Sequence, residues 1–188
     1  MIKILENVSD DIIVNYIIEQ KIGAIYQGQS ECGPRALGNR SIIFDPRVPN
    51  GKDIVNIVKM RESFRPFAAS ILEEEVSQWF ETFGISSSPF MTFSFNILKN
   101  KEDKVPAIVH VDGTCRIQTV NEKQNINYYN LINEFYDRTK VPMLLNTSFN
   151  VAGDPIVETV SDAIKTLTKS KMDYVYFPEL KMVVLKND

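Results

Sequence analysis

A chain of 188 residues, 44% hydrophobic and 24% charged, has the make-up of a globular domain and excludes disordered and fibrous designs. At this length folding removes roughly 70% of the unfolded chain's surface from water, so one domain with one sizeable core is expected over residues 1–188. A net charge of −3 speaks against a long polyanion as partner, and a single histidine excludes a multi-histidine metal centre made by this chain alone.

Residues 10–20 place Ile12, Ile13, Tyr16 and Ile17 on one helical face, behind Ser9 as candidate cap and with Asp10 and Asp11 in the positive first turn. Residues 22–26 read as a short buried strand leading into the glycine-marked segment 28–39, and residues 41–44 as a second strand closed by Asp45-Pro46. Beyond the turn signal Pro49-Asn50-Gly51, Ile54, Ile57 and Val58 repeat at helical spacing up to the basic cluster 59–65. A strand is expected at 67–72, a short helix at 73–80 and a surface loop at 84–89. Met91, Phe93, Phe95 and Ile97 alternate with polar residues, the pattern of a strand with one dry face.

In residues 114–120 the same alternation sets Arg116 and Gln118 on one face. Tyr128, Leu131, Ile132, Phe135 and Tyr136 then outline an amphipathic helix. A short strand at 143–145 runs into the polar loop 146–150, and Thr159 with Asp162 has capping-box spacing before the next helix. Residues 174–177 and 180–185 close the chain as a strand pair. Strands and helices interleave throughout, so the expected class is α/β (α+β), a mixed sheet covered by helices. No run approaches the roughly 18 apolar residues of a membrane span and no signal-peptide core is present, so a cytoplasmic location is expected. Cys32 and Cys115 lack CxxC spacing, which argues against a disulfide framework or a zinc site.

Four segments carry candidate chemistry. In the first, Gly33-Pro34 reads as a helix start and Gly38 as its end, which would present backbone N–H groups beside Arg35 to a phosphate. Arg40 stands close by; a structural use, with Arg35 and Arg40 paired to Glu31 and Asp45, is equally open from spacing alone. The second is the basic cluster with Lys59, Arg61 and Arg65 at a strand entrance, where a helix terminus would also favour cations. In the third, His110 and Arg116 flank the turn Asp112-Gly113 and could approach one another; a lone histidine serves as general acid or base only beside a substrate, and otherwise as a hydrogen-bonded prop. The fourth, Asn146 to Asn150, offers amide and hydroxyl groups at a strand's carboxyl end, with Ser148 as a ligand-holding hydroxyl and not a nucleophile, or as caps of their own turn.

Together these segments resemble the C-terminal region of the O-carbamoyltransferases that modify nodulation factors and antibiotics such as tobramycin and cephamycin. The resemblance rests on Glu31 to Ser41, on Arg61-Glu62 with Phe64 to Ala68, on His110 to Thr114 with Arg116 and Gln118 to Val120, and on Leu145 to Asn150 with Pro155 to Val157. It implies a YrdC-like twisted open mixed sheet, normally attached behind a larger actin-like N-terminal transferase domain that nothing here matches. It further implies binding of carbamoyl phosphate and of ATP with Mg2+, formation of O-carbamoyladenylate, and transfer of the carbamoyl group to a hydroxyl by that missing partner domain. The residues it marks are Arg35, Arg65, Arg116 and His110 at the reacting groups, with Lys59, Arg61, Arg40, Asn146, Ser148 and Asn150 as ligand holders. Because YrdC-like folds are also associated with RNA, an RNA-binding module remains open, as do a non-catalytic docking domain and a homodimer.

Overall fold

The computed structural model describes residues 1–31 and 33–186; Cys32, one of the two cysteines, lies outside them. Among the described residues ten strands form one open mixed sheet. In chain order they are β1 (Ile2–Leu5), β2 (Gly23–Tyr26), β3 (Arg40–Phe44), β4 (Ala68–Leu72), β5 (Phe80–Glu81), β6 (Ser94–Ile97), β7 (Thr114–Val120), β8 (Met143–Ser148), β9 (Tyr174–Phe177) and β10 (Met182–Lys186). Their order across the sheet is β1-β10-β9-β2-β3-β8-β4-β7-β6-β5. The β2–β9 and β4–β7 ladders are parallel and the others antiparallel. Four helices cover it: α1 (Asp10–Ile18), α2 (Gly51–Val58), α3 (Ile126–Thr139) and α4 (Val160–Lys169).

Every residue of β3, β4 and β9 is buried, so the centre of the sheet is covered on both faces, as the unbroken apolar runs of such strands require. The core joins Ile13 and Ile17 of α1, Leu131 and Phe135 of α3 and Leu167 of α4 to the strand interiors. Asn125 caps α3 by accepting from the Tyr128 N–H, and Thr159 with Asp162 forms the expected capping box of α4. Cys115 is free and fully buried. Among the described residues no helix is long and apolar enough to cross a membrane.

Several expectations are corrected. No helix forms at 34–37; residues 33–35 and 38–39 make bends and 36–37 are irregular, with Gly33 and Gly38 at φ +144 and +111. A side chain on Gly38 would drive into the Tyr128 ring, so the chain there is shaped by packing and not by helix termination. The strand predicted to start at Met91 starts at Ser94, because Met91 turns the chain at φ +55 and Phe93 is 47% exposed. Residues 73–78 are a 3-10 helix followed by β5. Asn146, Thr147 and Ser148 belong to β8 and not to a loop, because they pair with Ser41 to Ile43 of β3. Ser9 occupies the cap position of α1 without a side-chain cap bond. Ile57 is 59% exposed, so α2 buries Val55, Asn56 and Val58 instead of the expected Ile57. In the expected loop 84–89, Ser88 is buried and pinned to β7 through Thr119.

Candidate functional site

The site grows from one face of the central strands. In the ladders, Ala68 of β4 stands opposite Asn146 of β8 and Arg116 of β7, while Ser70 stands opposite Leu144 and Gln118. Directly paired residues share a face. The predicted alternation of Arg116 and Gln118 therefore holds, and it puts them beside residues from strands distant in the chain. Segment 36–38 is bonded down onto this face: Asn146 Nδ2 donates to the Ala36 carbonyl at 3.1 Å, Gln118 Nε2 to the Leu37 carbonyl at 2.7 Å, and the Gly38 N–H to Ser41 Oγ at 2.9 Å. Glu31 closes the same loop by accepting from the backbone N–H groups of Leu37, Asn39 and Arg40. Burial raises its carboxyl pKa, against the pull of those backbone donors.

Two adjoining cavities result. The smaller, of about 110 Å³, is lined by Arg35, Arg61, Ala68, Arg116 and Asn146, with Pro34 and Ala36 of the loop beside them. The larger, of about 700 Å³, is lined by Lys59, Arg61, Arg65, Ser148 and Asn150, with Gly153 at its edge. Arg61 and Ser148 line both.

Helix α2 delivers the basic cluster. Lys59 ends the helix, and Met60 at φ +54 turns the chain sharply so that Arg61 also meets the groove. Lys59 is 4% exposed; its Nζ donates to the Ser148 carbonyl at 2.6 Å, to Ser148 Oγ at 3.0 Å and to Asn150 Oδ1 at 2.6 Å. Neutral acceptors do not offset the loss of water, so burial, with the nearby Arg61 charge second, pulls its pKa down to about 7. Arg61 stacks over the Phe67 ring at 4.5 Å and donates from Nε to Asn56 Oδ1 at 2.6 Å. Burial, then the Arg65 charge, lowers its pKa to about 10. Arg116 is lowered likewise, by burial first and by Arg35 second.

Among the described residues no carboxylate forms an ion pair with Lys59, Arg35, Arg61 or Arg116. Arg61 Nη2 and Arg116 Nε are moreover buried without any hydrogen-bond partner. Buried donors rarely stay unpaired, and clustered guanidinium groups repel, so an anion bearing several oxygens would satisfy this arrangement. Arg65 is a partial exception: its side chain is 51% exposed and pairs with Glu62 at 2.7 Å, at the outer rim.

Two marked residues stand apart. Arg40 is buried, with Nη1 donating to the carbonyls of Gln27 and Asn39, Nη2 to those of Gly28 and Glu158, and its guanidinium over the Tyr26 ring at 3.7 Å. Its donors hold the loop's backbone. His110 Nε2 donates to the Phe67 carbonyl at 2.9 Å and Nδ1 lies 3.2 Å from Thr114 Oγ1, which ties the entrance of β4 to that of β7. The alternative left open by spacing, pairing of Arg35 and Arg40 with Glu31 and Asp45, does not form among the described residues; Arg47 takes Asp45 instead.

Sequence reasoning passed over Asn56, Ser70 and Ala68. Asn56 is 1% exposed and its Nδ2 donates to the Ser63 and Arg65 carbonyls, shaping the basic loop. A polar residue between Val55 and Ile57 in an apolar stripe was the available signal. Ala68 matters by being small, which no sequence pattern announces. Among the described residues no group of three His, Cys, Asp or Glu could hold a metal.

Comparison with known proteins places this geometry. Residues 14–184 match the family described as carbamoyltransferase C-terminus. Nodulation protein NolO of Bradyrhizobium diazoefficiens is 50% identical over 170 residues, which is 88% of this chain and 31% of that protein. The chain thus spans about a third of that relative's length. Full-length HypF, in its phosphate- and nucleotide-bound form, superposes with a TM-score of 0.60 at 19% identity, over 89% of this chain and 24% of that one. Sua5 of P. abyssi complexed with L-threonine gives 0.61 at 12% identity, over 89% of this chain and 46% of that one. These two likenesses establish the YrdC-like fold with its open mixed sheet.

Proposed function

The chain belongs to the carbamoyltransferase C-terminal family, and on that premise we propose that it binds carbamoyl phosphate and ATP in the cationic groove and forms O-carbamoyladenylate. The observation that carries this reading is the pair of cavities joined at Arg61 and Ser148, into which Lys59, Arg35, Arg61 and Arg116 converge, while the one carboxylate of their lining, Glu62, is ion-paired with Arg65. One phosphorylated molecule would fill only part of this space. Two substrates with phosphoryl groups in contact suit it.

In this reading carbamoyl phosphate gives its phosphoryl group to water, leaving carbamate and phosphate. A carbamate oxygen then bonds to the α-phosphorus of ATP as the bond to pyrophosphate breaks. Oxyanion charge develops on the transferring phosphate and on the leaving pyrophosphate, and preorganised cations lower the barrier by meeting that charge without reorganising. Arg35 and Arg116 face the small cavity where the carbamoyl end would sit. Lys59, Arg61, Arg65, Ser148 and Asn150 hold phosphates in the larger one. A resident metal does not fit a wall of cations and amides whose one carboxylate, Glu62, is already ion-paired with Arg65, so Mg2+ would arrive on the phosphate oxygens of ATP. Arg40 and His110 drop out of the ligand set, since neither lines either cavity and backbone carbonyls hold the Arg40 Nη groups and His110 Nε2. Transfer to an acceptor hydroxyl would fall to the N-terminal domain of a longer protein.

Isothermal titration with carbamoyl phosphate and with Mg-ATP, joined to an assay for pyrophosphate release, tests the proposal. The protein is expected to bind both and to release pyrophosphate only when both are present. Arg61→Ala and Arg116→Ala should each weaken binding roughly 10- to 150-fold, the equivalent of one charge-assisted contact, without loss of fold. Absence of heat in the parent, or parent-like binding by both variants, overturns it.

A further inference from the structure

The small cavity is one short row across the sheet. Ala68 lies between Asn146 and Arg116, and its methyl leaves a gap between two long polar side chains that the loop closes over. The sense of the Asn146 amide in this gap is dictated by backbone carbonyls, which only accept. The Ala36 carbonyl, 3.1 Å away, requires Nδ2 on its side. The Leu37 carbonyl requires Gln118 Nε2, which turns Gln118 Oε1 inward to accept from Ser70 Oγ at 2.7 Å and from Asn146 Nδ2 at 3.1 Å. Two carbonyls thus give the same answer independently. With Nδ2 turned toward the Ser70–Gln118 row, Oδ1 points away from that row.

Asn146 is 2% exposed, and its Oδ1 is buried without a partner, as are Arg61 Nη2 and Arg116 Nε beside the same cavity. An anion alone satisfies the two guanidinium donors and leaves the amide oxygen bare. A ligand that offers both oxygens and an N–H satisfies all three. We infer that Asn146 is the specificity-determining residue of this cavity: its Oδ1 accepts an N–H of the carbamoyl amino group while Arg61 and Arg116 donate to oxygens of the same ligand. The inference rests on the carbamoyl phosphate reading above and adds what that reading lacks, a reason to reject acyl phosphates of equal charge and size. Acetyl phosphate sets a methyl where the amino group would be and leaves a buried acceptor unpaired, at a cost that exceeds the worth of an ordinary hydrogen bond.

The test is titration of the protein with carbamoyl phosphate, acetyl phosphate and inorganic phosphate, repeated with Asn146→Ala. The parent should prefer carbamoyl over acetyl phosphate roughly 5- to 150-fold, the range set by one unpaired buried acceptor. In Asn146→Ala the ratio of carbamoyl to acetyl phosphate affinity should fall to about one, and the ratio is the readout because loss of the Ala36 bond alters affinity for all three ligands alike. Equal binding of the two acyl phosphates by the parent, read without any variant and so decisive even if Asn146→Ala fails to fold, removes the role of Asn146 and leaves the carbamoyl phosphate reading standing. A variant that keeps the preference does the same. If the parent binds neither acyl phosphate, the reading of the site falls and the inference with it.

Discussion

Lys59→Met keeps the length and the apolar stem of the side chain and removes its ammonium. The parent ammonium is buried among the Ser148 carbonyl, Ser148 Oγ and Asn150 Oδ1, and its pKa falls from 10.5 to about 7. At 1.36 kcal/mol per unit, holding that charge in the fold costs about 5 kcal/mol, as an order of magnitude. The sign follows from proton counts. Between about pH 7 and 10.5 the unfolded chain binds this proton and the folded chain does not, so stability rises with pH, by at most ~1.4 kcal/mol per unit. Below pH 7 both states are charged and the full cost is present. Lys59→Met should lack this rise, and because other groups titrate at the alkaline end, the difference between variant and parent isolates Lys59.

A bound anion reverses the preference, because it favours the ammonium. Affinity for sulfate, whose own charge is constant over this range, should therefore fall above pH 7 by up to about tenfold per unit, with a proton taken up on binding. In Lys59→Met, sulfate should bind more weakly and with no such slope. Urea unfolding from pH 6 to 10 and sulfate titration over the same interval measure both effects. Parallel stability curves for parent and variant, or a parent affinity for sulfate that stays level from pH 7 to 9, would refute the account of Lys59 as an uncompensated buried cation.

His110→Ala strands the Phe67 carbonyl and should destabilise the fold by about 1–3 kcal/mol in urea unfolding while phosphate affinity holds, since His110 lines neither cavity. A matching loss of affinity would return it to the ligand set. Glu31→Ala removes the acceptor of three backbone donors and should speed hydrogen exchange at Leu37, Asn39 and Arg40, with weaker phosphate binding through a loosened Arg35. Unchanged exchange at those amides would show that Gln118 and Asn146 suffice to hold the loop.

Local pattern carried a good part of the fold. The alternation of residues 114–120 placed Arg116 and Gln118 on one face, the apolar stripe of residues 128–136 marked α3, and Thr159 with Asp162 marked the start of α4. These features were legible because period and capping depend on neighbours in the chain. The failures share a cause. Glycines at 33 and 38 read as helix boundaries, yet the loop is shaped by Glu31, Gln118, Asn146 and the Tyr128 ring, none of which local spacing reveals. Met91 to Phe93 alternate as a strand should, but with Met91 in the left-handed region the ladder begins only at Ser94.

What the sequence determined by itself was the inventory: a mixed sheet under helices, and the six marked cations Arg35, Arg40, Lys59, Arg61, Arg65 and Arg116 set among amides and hydroxyls. Which of those cations face a ligand was decided only by the strand order β3-β8-β4-β7, which brings Ala68, Arg116 and Asn146 into one row from positions up to 78 residues apart. Arg35 and Arg40 show the difference most plainly. They are five positions apart and chemically identical, yet Arg40 found four backbone carbonyls and became a prop, while Arg35 reached the small cavity with no acid paired to it among the described residues. A guanidinium's role is set by whichever acceptors lie within about 3 Å of it, and that is a property of the folded neighbourhood and not of the residue type.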